Sequence, residues 1–114
     1  MAKLPSETKA TILNLLGQLA ELIDEAAATE SIIAQQFGET EITISTLDDL
    51  LNVRERLRDS YTRLSTIFLN ISESQPRASA AMLNLLYQTI ENSEAAIAAS
   101  DATIQEAKRD MDLL

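Results

Sequence analysis

Apolar side chains near the C-terminus recur every seven residues, at Leu83, Ile90, Ile97, Ile104 and Met111. A second row, Leu86, Ser93, Ser100, Ala107 and Leu114, interleaves with it at alternating steps of three and four. Such spacing keeps both rows on one side of a helix, the seam of a helix packed lengthwise on others. Near the N-terminus a similar stripe runs through Ile12, Leu16, Leu19, Ile23, Ala26, Ile33 and Phe37, interrupted only by Glu30. Leu15 and Leu22 widen it, as suits a helix with two neighbours rather than one. Between these stripes lies a third, made by Leu47, Leu50, Leu57, Tyr61, Leu64, Phe68 and Ile71, with Arg54 its only charged member.

The stripes predict an all-α fold of three long antiparallel helices over residues 6–37, 46–72 and 76–113, packed as a bundle or coiled coil. Pro5 and Ser6 fit a first turn, with Ser6 as a cap, and Gly38 reads as a stop. Gly17, inside the first helix, points to close packing or a slight kink there. The stretch ETEITIS, 39–45, alternates Ile42 and Ile44 with polar residues and reads as an extended connector. Its two isoleucines would plug the end of the bundle or form an edge strand pairing with a second copy. The second helix would start at Ser45 or Thr46, with Asp48 and Asp49 at its positive end, and Pro76 would open the third. On these bounds the third helix outruns the second by about ten residues of apolar seam, roughly 15 Å. Either the first helix covers that excess or a second copy does, and a two-fold dimer is the favoured option.

The chain's 114 residues suit one domain, 1–114. Hydrophobic residues make up 46% but aromatics only 4%, so the core is filled by Leu, Ile and Ala, as in helical bundles. A net charge of −9 opposes binding to nucleic acid or to anionic membranes. The second helix is the exception, with Arg54, Arg56, Arg58 and Arg63 balancing its acids. Those arginines read mainly as salt-bridging partners, with Asp59 and Arg63 four apart. No apolar run is long enough to span a bilayer, the first residues lack a signal-peptide core, and Cys is absent. The expected location is cytoplasmic.

Absent residues narrow the chemistry. Without His or Cys there is no Ser-His-Asp triad, Cys-His dyad, zinc finger or Glu-x-x-His di-iron motif. The two glycines stand too far apart for a phosphate loop. What remains is paired carboxylates, Glu21 and Asp24 beside Glu25, and Glu91 with Glu94, which on facing helices could hold Mg²⁺. The stretch LAELIDEAAATE, 19–30, resembles the first metal-binding helix of all-helical nucleotide pyrophosphohydrolases. That resemblance implies a Mg²⁺-dependent hydrolase, but the second acidic cluster at the family's short spacing is missing. The plainer reading is a solvated helix face, with no metal or cofactor site and no catalytic residue.

The leading expectation is therefore a non-enzymatic protein–protein interaction module: an adaptor, assembly or chaperone-like bundle whose partner is another protein or a second copy. In composition it is similar to small secretion or assembly chaperones and coiled-coil adaptor subunits. The pyrophosphohydrolase-like enzyme is the alternative, and a structural self-assembling coiled-coil subunit the second. Candidate interface residues are Ile42, Ile44, Arg54, Tyr61, Tyr87, Ser93, Ser100, Ile97 and Ile104. Ser93 and Ser100 with their alanine neighbours would allow close helix packing or leave a shallow groove for a partner helix. Glu30 and Arg54 each break an apolar row, so they are expected either to meet or to mark where the core opens.

Overall fold

The computed structural model describes residues 4–74 and 77–114. Three helices of near-equal length, α1 (Ser6–Phe37), α2 (Glu41–Glu73) and α3 (Ala80–Asp110), run up, down and up in a bundle 56 × 20 × 18 Å. α1 is unbroken through Gly17 and Thr29. Pro5, not Ser6, occupies its cap position, and the Pro5 carbonyl accepts from the Lys9 amide at 3.1 Å. Gly38 ends α1 at φ 70°, the left-handed region that a side chain would strain.

The second helix begins five residues before its predicted start, and ETEITIS is helical rather than extended. Thr40 caps it in a reciprocal arrangement. The Thr43 amide donates to Thr40 Oγ1 at 3.3 Å, and the Thr40 amide donates to Thr43 Oγ1 at 2.8 Å. Thr43 Oγ1 in turn donates to the Gly38 carbonyl at 2.7 Å, closing the three-residue link between α1 and α2. This is a capping box with Thr in place of the usual Glu or Gln, which satisfies orphan amides on both sides. Asp48 and Asp49 consequently lie beyond the first turn, not in it. α3 starts later than predicted, at Ala80, where Ser79 Oγ accepts from the Met82 amide at 3.1 Å. Pro76, the expected start, lies outside the described residues. With α2 longer and α3 shorter, the helices match in length, and the overhanging seam that argued for a second copy does not exist.

The core rows advance by three or four residues, or by a full heptad in α2, with strict alternation along α1. In α1 the buried residues are Ile12, Leu15, Leu19, Leu22, Ala26, Thr29 and Ile33. Leu16 and Ile23 flank this row half-buried, so the predicted stripe is turned by one position about the helix axis. α2 buries Thr43, Leu50, Val53, Leu57, Leu64, Ile67 and Ile71; α3 buries Leu86, Ile90, Ser93, Ala96, Ser100, Ile104 and Ala107. Leu83, Ile97 and Met111 pack half-buried against this core, whereas Leu114 is exposed.

Small polar residues occupy seam positions, and they differ in how they are satisfied. Thr29 Oγ1 donates to the Glu25 carbonyl at 2.8 Å. Ser93 and Ser100 are buried, and neither hydroxyl has a hydrogen-bond partner among the described residues. A buried hydroxyl without a partner costs about 1–3 kcal/mol, and Ala also favours the helix. Ser100→Ala should therefore raise unfolding stability by about 1 kcal/mol in urea titrations, while Ser100→Leu should lower it by about 1–3 kcal/mol through overpacking. Gly17 is exposed and a Cβ there would meet nothing, so close packing does not explain it. Gly17→Ala is expected to add about 1 kcal/mol in the same titration.

Candidate functional site

Charged residues beside the seams pair across helices. Arg54 Nε donates to Glu30 Oε2 at 2.8 Å and its Nη2 to Glu30 Oε1 at 3.4 Å, joining α2 to α1. The two charges that interrupt apolar rows thus meet each other. The Glu30 carboxylate, by hydrogen bond and then by charge, raises the Arg54 pKa above its ordinary value. Like guanidinium groups generally, Arg54 is cationic at neutral pH. On the other side of α1, Glu25 Oε1 accepts from Lys108 Nζ at 2.5 Å and from Gln105 Nε2 at 3.2 Å, joining α1 to α3. Glu25, a metal candidate by sequence, is thus a salt-bridging residue; its position flanking the α1 seam, opposite a flanking lysine on α3, is the sequence signal for such a pair. These two are the only ion pairs among the described residues, so the Asp59–Arg63 bridge does not form.

The acidic pairs do not assemble into a metal site. A groove of about 290 Å³ between α1 and α3 is lined by Glu21, Glu25 and Asp101 beside Leu22 and Ile97, while Glu91 and Glu94 point to solvent elsewhere on α3. Among the described residues no three acidic groups converge closely enough to hold a metal ion.

Of the predicted interface residues, Ser93, Ser100 and Ile104 lie inside the chain's own core, and Ile97 is half-buried against it. Ser100 and Ile104 are covered by neighbouring helices, while Ile97 borders the α1–α3 groove and Ser93 sits at the floor of a pocket between α2 and α3. Arg54 is committed to Glu30, and Tyr61 and Tyr87 are exposed, so Tyr61 does not join the α2 seam predicted for it. Ile42 and Ile44 plug nothing: Ile42 is 79% and Ile44 49% exposed.

The end of the bundle where α1 and α3 finish and α2 begins brings together residues far apart in sequence. Phe37, Ile42 and Met111 line a cavity of about 410 Å³ there, with Thr40, Asp110 and Asp112. Phe37 is 44% exposed despite its place on the predicted α1 seam. A second, shallower groove between α1 and α2 starts beside this end, floored by Ala27, Ala34, Leu47 and Leu51, with Glu39 and Asp48 among its carboxylates. α3 stops in a Schellman arrangement: the Asp112 amide donates to the Arg109 carbonyl at 3.2 Å and the Leu113 amide to the Lys108 carbonyl at 2.7 Å. Asp112 holds the left-handed position at φ 55°, where glycine is the usual occupant.

Comparison with known proteins returned no matching family model, no matching curated protein and no matching solved structure. Among the described residues, no helix is long and apolar enough to cross a membrane.

The Glu30–Arg54 pair yields a direct test. Arg54 is more than a third exposed, so solvent screening limits the coupling to about 0.5–1 kcal/mol. Arg54→Leu leaves the less exposed Glu30 without its partner and should destabilise more than the Glu30→Leu, Arg54→Leu double substitution. Urea unfolding of the four-member cycle measures the coupling, which should shrink in high salt.

Proposed function

We propose that the chain is a non-enzymatic protein–protein interaction module, an adaptor, assembly or chaperone-like helical bundle working in the cytoplasm. The observation that carries this reading is the cluster of exposed Phe37 and Ile42 with Met111 around an open cavity, at one end of a bundle whose own seams are filled. Single exposed apolar residues are ordinary on monomers, whereas several around one concavity mark a contact surface. The reading is supported further by the absence of His and Cys, and by carboxylates that are dispersed or paired with basic groups.

The test is site-specific cross-linking in cells. A photoreactive residue in place of Ile42 should capture one or a few defined proteins, and one in place of Ala95, exposed on α3, should capture none of them. Identical capture at both positions would overturn the proposal. A melting temperature that climbs with added Mg²⁺ would favour the hydrolase instead. Capture of the chain by itself alone, with a dimeric mass by light scattering, would mark a self-assembling structural subunit.

A further inference from the structure

We infer that this end of the bundle receives a cationic segment of another polypeptide. One large apolar side chain enters the cavity between Phe37, Ile42 and Met111, and a neighbouring Lys or Arg sits against Asp110 and Asp112. The inference deepens the interaction-module reading and rests on it.

The first argument is electrostatic. Two helix C-termini, those of α1 and α3, converge here against the single N-terminus of α2, so the backbone contributes net negative potential. α1 has no basic residue in its last turn, and Lys108 of α3 is engaged by Glu25. That leaves Arg109 as the basic residue without an ion pair in the last turn of α3, at an end that also carries Glu39, Glu41, Asp110 and Asp112. Glu41 is well placed, in the first turn of α2. Asp110 and Asp112 are not, because a carboxylate at a helix C-terminus is repelled by the terminal carbonyls. Neither forms an ion pair among the described residues.

Conformation points the same way. Asp112 holds a backbone position that glycine would occupy without strain, so one residue breaks two local preferences together. Among the described residues no ion pair compensates for either. A Lys or Arg from outside would answer the charge, and the half-exposed apolar lining of the cavity calls for an apolar anchor beside it.

Other occupants fit less well. A second copy packed two-fold on this end brings the same carboxylates face to face. A bare cation would answer the aspartates but leave Phe37 and Ile42 in water, and no three acidic groups converge to hold one.

The experiment measures fluorescence anisotropy of a short labelled peptide of alternating Leu and Lys, titrated with the full chain at low salt. Three variants are compared: Asp112→Gly, Ile42→Ser and, as a control of equal charge change away from the end, Glu91→Gln. Asp112→Gly suits the left-handed backbone, so its melting temperature should rise while its affinity falls about fivefold. Ile42→Ser, at an exposed position, should stay folded and weaken binding to a similar degree. Glu91→Gln should bind as the parent does, and peptides with Glu for Lys or Ser for Leu should not bind.

Equal weakening by Glu91→Gln would reduce the effect to net charge and overturn the inference. So would full binding of the Ser-containing peptide, or no binding of the Leu/Lys peptide. If those results arrive while a photoreactive residue at position 42 still captures a defined partner, the docking chemistry falls and the interaction reading stands. If capture also fails, both fall. A concentration-dependent dimer abolished by Ile42→Ser would assign the end to a second copy and likewise overturn the inference.

Discussion

Everything else in this bundle follows from seams that return every three or four residues along three helices of near-equal length. The α1 row from Ile12 to Ile33 does so without a skipped step. In α2, Thr43, Leu50, Leu57, Leu64 and Ile71 hold one heptad position throughout. Such seams bury a narrow stripe and leave broad polar faces, which is why the chain folds with so few aromatic residues and so many acids. The same geometry makes side-chain size a matter of spacing. Thr29, Ser93 and Ser100 hold seam positions that a Leu would overfill, and two of them carry buried hydroxyls with no partner among the described residues. Interhelical distance is thereby set by small residues at the expense of stability.

Charges beside the seams fix how the helices meet. Glu30 with Arg54 and Glu25 with Lys108 lie on opposite flanks of α1, one tying it to α2 and the other to α3. Each pair is partly solvated, so its contribution to stability is modest. Its larger effect is on alternatives: sliding a helix by one heptad preserves apolar contacts but separates the charges, leaving a half-buried Glu30 or Glu25 without its partner.

How legible this was in the sequence depended on whether the deciding interaction was local. Both ends of α1 could be read, because Pro5 and Gly38 act through their own backbone preferences. The Glu30–Arg54 contact was legible as one of two outcomes, since two charges each breaking an apolar row must either meet or mark an opening. The start of α2 was misread because Ile42 and Ile44 alternate like a strand. The decisive signal was Thr40 and Thr43 three apart, an unusual capping box. Extending the α2 heptad backward from Leu50 lands on Thr43 and would have shown the row continuing. The cavity at the bundle end was only partly legible. Ile42 stood out as a candidate, but Phe37, Met111, Asp110 and Asp112 join it only once three helix ends are placed together. No periodicity within one helix encodes that meeting.

A closed heptad bundle confines variety to its ends, and the two ends of this molecule are not alike. At the far end most local chemistry agrees with structure, although α2 closes on Glu73 with no basic residue in its last turn. Glu7 sits in the first turn of α1, Ser79 caps α3, and the Ser74 hydroxyl donates to the Asn70 carbonyl at 2.8 Å where α2 finishes. At the other end α1 lacks a basic residue in its last turn, α3 follows Lys108 and Arg109 with Asp110 and Asp112, and a left-handed position holds Asp instead of Gly. Apolar side chains stand exposed beside them. Sequences that satisfy local rules nearly everywhere tend to break them where something other than folding is being selected. Both ends face the same solvent and close helices of the same lengths, so folding alone gives no reason for the difference. A cationic, apolar-anchored partner supplies one, since it turns each unfavourable feature of the free end into a contact in the bound one.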